Sequence, residues 1–309
     1  MVKGEAQAIL QAPCNGEHAL SNATAVRSSP LSEKDIDKIF RTIDIPACPE
    51  IVSNVMAETQ RDDPNLNWLA KTITADPAMV AIALKLANSS LFRASSPVTD
   101  VRRALQRIGM RNIVSVVVAT ALRTSMAGTS LPFIESFWNQ ASTLALIAGE
   151  VARRQYGVSP DAAFTYALFH DAGIPLMARR FPDYLDAIDA SRAAGCLLID
   201  AEDERFPCTH TVVGGLLARN WGMPLMVSQA IRFHHEPGLY DLPDKTLPDG
   251  ALSLIAVTQI AERIVSENDG REDLEVGDAL FARAAAHFGI DEEELDALRE
   301  AILSAASDD

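Results

Sequence analysis

The chain has 309 residues, with 27 Lys and Arg against 42 Asp and Glu, a formal net charge of −15 and 48% hydrophobic residues. That composition can bury a substantial core, which excludes wholesale disorder, collagen-like repeats and a disulfide-stapled miniprotein. The acidic balance argues against binding a nucleic acid or an anionic membrane with the whole surface, and the longest apolar run, Ile113 to Leu122, falls well short of the roughly 20 residues a membrane span needs.

In chain order, residues 1–31 mix small, polar and helix-breaking residues without a sustained period and end in Ser28-Ser29-Pro30, as a loosely ordered leader would. Gln7, Gln11, Asn15, Glu17 and His18 interrupt any apolar stretch there, so no secretory signal is expected and the protein is placed in the cytoplasm. The cysteines, Cys14, Cys48, Cys196 and Cys208, show no metal-finger spacing and are expected as free thiols.

From Ser32 onward helix punctuation dominates. Ser32 with Asp35, Thr99, and Ser159 before Pro160 read as helix starts. Helices are predicted at about 33–42, 49–60, 65–75, 77–90, 99–108, 111–126, 133–156, 160–171, 183–194, 210–221, 224–235, 250–266, 276–288 and 291–305, separated by Pro, Gly or Asn/Asp turns. Met79, Ile82 and Leu86, and again Val213, Leu217 and Trp221, recur at the spacing of a core-facing stripe. Sustained period-2 alternation is missing, so the fold class is all-α, a multi-helix bundle. The small-residue turn Met126 to Pro132 divides it into an N-terminal helical subdomain, 32–130, and a second helical subdomain, 131–309.

Chemistry-bearing residues gather in the second half: His170-Asp171, His210, and His234-His235 before Glu236. Each lies near a predicted helix end, and in a bundle such ends can converge. Imidazoles and a carboxylate suit a divalent cation of Fe, Mn, Zn or Ni, so these five are the candidate metal ligands. Adjacent helical residues point about 100° apart, so the alternative is a hydrogen-bonded polar cluster that pins helices together.

Leu168-Phe169-His170-Asp171-Ala172-Gly173, then His210 with Gly214, Leu217 and Trp221-Gly222-Met223-Pro224, then Ile231 through His235, resemble the HD superfamily of metal-dependent phosphohydrolases. Ile45-Pro46-Ala47-Cys48-Pro49, Asp76-Pro77-Ala78, Leu86-Ala87-Asn88-Ser89 and the stretch from Pro97-Val98 through Ala104-Leu105 to Ile108-Gly109 narrow the resemblance to the HDOD family, HD-related output domains of bacterial signalling proteins. The resemblance runs over about 38–265 and implies an N-terminal helical subdomain packed on an HD-like bundle.

The sequence departs from the superfamily at two ligand positions. Gln140, in Phe137-Trp138-Asn139-Gln140-Ala141, stands where the resemblance implies the first ligand His, and Gln259, in Val257-Thr258-Gln259, where it implies a final Asp. Neutral amides bring no charge to offset a cation, so no residue is assigned a catalytic role. The resemblance thus implies a non-catalytic binding or scaffolding module of bacterial signalling whose partners are other signalling proteins, with neither membrane nor nucleic acid. The alternative is a metal-dependent phosphohydrolase on a nucleotide or phosphate ester, or a metal or ligand sensor, using the residual His/Asp set.

Arg102, Arg103, Arg107 and Arg111 form a basic stripe if the helix continues through Gly109, a candidate surface for an anion or an acidic partner. Trp68, Trp138 and Trp221 sit in apolar helical contexts and are expected as core anchors.

Overall fold

Ile39 with Ile43, Val52 with Val55, and Leu69 with Ile73 are pairs three or four residues apart, and each pair is the buried stripe of its own helix. In the computed structural model, which describes residues 32–59, 61–89, 92, 96–125, 131–236, 238–270 and 276–307, these helices are α1 (Glu33–Ile43), α2 (Glu50–Thr59) and α3 (Leu66–Thr74). Helix α4 (Pro77–Ala87) starts where the Asp76 carboxylate accepts the N–H groups of Ala78 and Met79, at 2.8 and 3.3 Å, with Pro77 at the first helical position. Helix α5 (Val101–Ser125) is bent at Gly109, whose φ of 80° and ψ of 163° are not helical, so the two predicted segments here are genuinely separate. Its start is capped by Asp100, which accepts the Arg103 N–H at 2.9 Å, and not by Thr99 as expected.

The second half comprises α6 (Leu131–Arg153), α7 (Pro160–Phe169), α8 (Gly173–Arg180), α9 (Tyr184–Ala194), α10 (Leu198–Arg205), α11 (His210–Asn220), α12 (Leu225–Phe233), a 3-10 turn at Leu239–Asp241, α13 (Ala251–Asn268), α14 (Gly277–Phe288) and α15 (Glu292–Ser307). The described residues contain no strand, and the fold is all-α. Helices α8 and α10 were not among the predicted elements. Both have eight residues, too few turns for an apolar period to show.

Helices α2, α3 and α4 pack around α5, and α5 packs in turn on α7. Helix α7 is buried nearly all round, with Ala163, Phe164, Tyr166, Ala167, Leu168 and Phe169 in the core, and it touches α5, α6, α12 and α13. One apolar cluster runs from Ile39 in α1 to Ile302 in α15 and crosses the predicted division. The turn at Met126 that marks that division lies, up to Ser130, outside the described residues, as does the leader over 1–31.

Polar ties lock the first half onto the second. The Pro46 carbonyl accepts the Trp221 indole N–H at 3.0 Å and the Asn220 amide at 3.2 Å. The Arg179 guanidinium donates to the carbonyls of Ser125 and Asp44, at 2.8 and 2.6 Å. Buried Asn112 donates to the Asp161 carboxylate at 2.8 Å, joining α5 to α7.

Other expectations are corrected. Trp138 and Trp221 are core residues, but Trp68 is 36% exposed. Cys48 and Cys208 are free thiols, as expected. No helix is long and apolar enough to cross a membrane, among the described residues.

Candidate metal centre

The five candidate ligands come from three places where a helix starts or stops. Ser159 caps α7, and the helix ends with His170 as its C-terminal cap, the imidazole Nδ1 lying 2.8 Å from the Ala167 carbonyl. Helix α12 ends the same way at His234, with Nδ1 2.7 Å from the Ile231 carbonyl. A carbonyl can only accept, so in both rings Nδ1 carries the proton and Nε2 is turned inward.

The third place is the start of α11, where Thr209 is the cap and His210 the first helical residue. Its backbone N–H and its Nδ1 both meet Glu202 Oε2, at 3.1 and 2.7 Å. Glu202 is fully buried on α10 and also accepts a very short hydrogen bond from the Tyr184 hydroxyl. Gly173 lets this end of the molecule close up: a Cβ there would stand 2.0 Å from the His210 carbonyl oxygen.

Asp171 sits at the focus. Its Oδ1 lies 3.5 Å from His210 Nε2 and 3.3 Å from His234 Nε2, and its Oδ2 lies 3.2 Å from His170 Nε2. Ligand atoms of Asp171, His210, His234 and His235 all fall within 4.8 Å of one another. His170 stands beside this group, held between Asp171 Oδ2 and Glu262 Oε1, the latter at 3.0 Å. The structure therefore brings all five together, four as mutual neighbours and one as an outer partner.

Electrostatics sort the imidazoles. Burial works against the His170 imidazolium, but the Asp171 and Glu262 carboxylates override it and raise its pKa well above the usual value. Burial lowers the His234 pKa in spite of Asp171. His235 is lowered further, by burial and by the neighbouring His234 and His210. Burial opposes the Asp171 carboxylate too, yet His170 first, then His234 and His210, hold it well below the usual range. A neutral His234 with its proton on Nδ1 thus points a lone pair at an ionised carboxylate. Asp171 Oδ1 and His234 Nε2 are both buried without a hydrogen-bond partner.

Two acceptors face each other at 3.3 Å, and a cation between them removes the repulsion. The edge of a tetrahedron of zinc-length bonds is about 3.3 to 3.5 Å, which matches both Asp171 Oδ1 contacts. Three imidazoles and one carboxylate fit one divalent cation of the transition series.

The two glutamines differ from each other. Gln140 is exposed on α6, its amide 3.4 Å from the Ser136 hydroxyl. Gln259 is buried beside the centre, where it accepts the Tyr240 hydroxyl at 2.6 Å and donates to the His234 carbonyl at 3.4 Å. Glu202 and Glu262 were not among the predicted site residues. Glu262 had a signal in the sequence, since it falls three residues after Gln259 on the same face of α13.

The arginine stripe does not form as one surface. Gly109 breaks the helix, Arg102 and Arg103 are exposed, and Arg107 is spent on the carbonyls of Ala87 and Ser96, at 3.3 and 3.2 Å. The Arg111 side chain lies outside the described ones.

The fold is shared with solved structures. One is a crystal structure named provisionally as a phosphohydrolase from Shewanella amazonensis SB2B, 23% identical with a TM-score of 0.65, covering 87% of this chain and 93% of that one. Another is an HDOD domain protein of unknown function from Geobacter sulfurreducens, 18% identical with a TM-score of 0.63, covering 88% and 97%. An uncharacterized protein of Treponema pallidum (strain Nichols) is 25% identical over 239 residues, 76% of this chain, and the chain spans 45% of the length of that relative. Residues 45–237, more than half of the sequence, match the HDOD domain, and the chain belongs to the HDOD family.

Proposed function

We propose that this protein is a non-catalytic signalling module in which Asp171, His210, His234 and His235 hold one divalent cation as a pin between helix ends, and that other signalling proteins bind the surface so fixed. The observation that carries this reading is the size of the space beside the cluster. The cavity lined by Tyr166, His170, His234, His235, Gln259 and Glu262 measures about 10 Å³, room for about one water. Pockets that take a small organic substrate run to about 300 Å³ or more.

Among the described residues the lining also lacks any Lys or Arg to hold a phosphate. Glu262, the added carboxylate, is engaged with His170. A bound cation supplies charge that neutralises the converging lone pairs and, in an open site, would also acidify a water. Here the chain's own residues orient the donors. Ala167, Ile231 and Glu202 hold the three Nδ1 atoms, so Nε2 of each ring turns toward Asp171. The centre joins the ends of α7, α11 and α12, a role that needs no turnover.

The test is to strip the protein with a chelator, add back Zn, Mn, Fe or Ni singly, and follow both melting temperature and hydrolysis of phosphate mono- and diesters. The reading expects a rise in melting temperature with one of these ions and no turnover. Ion-dependent hydrolysis that disappears in Asp171→Ala would establish the phosphohydrolase instead.

A further inference from the structure

A second cavity, of about 200 Å³, opens between α4 and α5 on one side and α6 and α7 on the other, away from the histidine cluster. Its walls are mainly apolar, with Val116, Phe164 and Leu168 among them. Trp138 forms part of the wall and is only 6% exposed.

Charge says what kind of molecule fits it. Lys85 and Arg123 both border the cavity and are exposed, and no carboxylate lines it among the described residues. In a chain of net charge −15, two cations at one cavity without a lining acid stand apart from the surrounding surface. Arg123 reaches Glu135 at 3.4 Å, but that pair is 43% and 60% exposed. Exposed pairs contribute little and exchange readily for a better anion.

The geometry points to a binding site for a small amphipathic carboxylate, its apolar body in the cavity between the two halves and its head group at Lys85 and Arg123. A cavity below the roughly 300 Å³ of drug-sized pockets selects a short or medium aliphatic chain or a single ring. The site is separate from the metal centre, so it stands or falls independently of the function proposed above.

Titration calorimetry of the full chain with octanoate is the direct test. One saturable equivalent is expected, with a dissociation constant on the order of 10 to 500 µM. The double variant Lys85→Glu, Arg123→Glu changes only exposed positions, and is expected to weaken binding about tenfold or more with an unchanged melting temperature. Octanol keeps the chain and an oxygen but not the charge, and is expected to bind more weakly and indifferently to the charge reversal. Absence of a saturable signal with octanoate overturns the site. So does equal binding by the parent and the double variant, and octanol binding as tightly as octanoate overturns the carboxylate assignment.

Discussion

Each imidazole whose Nδ1 is tied back reaches its orientation through a bond to the protein behind it, and this is where single residues decide the chemistry. His170 and His234 use a carbonyl three residues earlier, so their orientation comes with the helix end. His210 instead depends on Glu202, which is fully buried and accepts from three donors. Replacing Glu202 by Gln puts an amide N–H₂ where acceptors are needed. It is expected to cost about 2 to 3 kcal/mol in urea denaturation and to lower metal affinity about 10- to 100-fold. A variant that binds metal like the parent would show that Glu202 does not position His210. The Cys208 thiol also feels this carboxylate: burial first, and Glu202 second, push its pKa from 9.0 up to about 12. The fold therefore keeps the thiol proton more tightly than the unfolded chain does. That contribution to stability is intact below about pH 9 and drains away as pH rises toward the folded value. Alkylation mapped by mass spectrometry at pH 8 is expected to leave Cys208 unlabelled until the protein is unfolded, since the thiolate is the reactive form.

Helix ends, more than helix faces, determine where the functional groups stand. Gly173 brings the start of α8 against the start of α11, and a Cβ there would meet the His210 carbonyl at 2.0 Å. Gly173→Ala is expected to destabilise by about 3 kcal/mol and to reduce metal binding with it, because the backbone that moves carries a ligand. Gly109 holds φ 80° and ψ 163°, a region open essentially to glycine alone. Gly109→Ala is expected to cost about 1 to 3 kcal/mol while leaving metal affinity unchanged; thermal denaturation of the two variants separates the two roles. These elements also show what a reader of the sequence can and cannot see. The start of α7 was legible because Ser159-Pro160 acts through a bond to the residue three further on. The convergence of His170-Asp171, His210 and His234-His235 was legible as a set of helix ends, helped by the resemblance. The same resemblance placed Gln140 at a ligand position, but α6 turns that residue to the surface, and the rotation of a helix depends on packing from several distant segments. Glu202 was illegible because α10 itself was: its hydrogen bond with His210 needs a buried acidic helix that no apolar stripe announces. The arginine stripe rested on a continuous helix, and Gly109 interrupts that helix between Arg107 and Arg111.

At the scale of the whole molecule, one apolar cluster and a few polar hooks make two sequence halves into a single unit. The hooks run from α11 and α8 in the second half to the carbonyls of Pro46, Asp44 and Ser125 in the first. Unfolding by urea is accordingly expected as a single transition, coincident by circular dichroism and tryptophan fluorescence; two separated transitions would show that the halves fold independently. The His/Asp cluster joins helix ends of the second half, α7 reaches from it to the first half through α5, and the second cavity lies across that same junction. The central claim is that the converging donors hold a cation. Elemental mass spectrometry of protein purified without a histidine tag, beside Asp171→Ala and His234→Ala, tests it most directly. About one equivalent of a single divalent metal per chain, lost in both variants, is the result expected. Protein that is folded and carries no stoichiometric metal, before and after incubation with Zn, Mn, Fe or Ni, would contradict it and leave the cluster as a purely hydrogen-bonded pin.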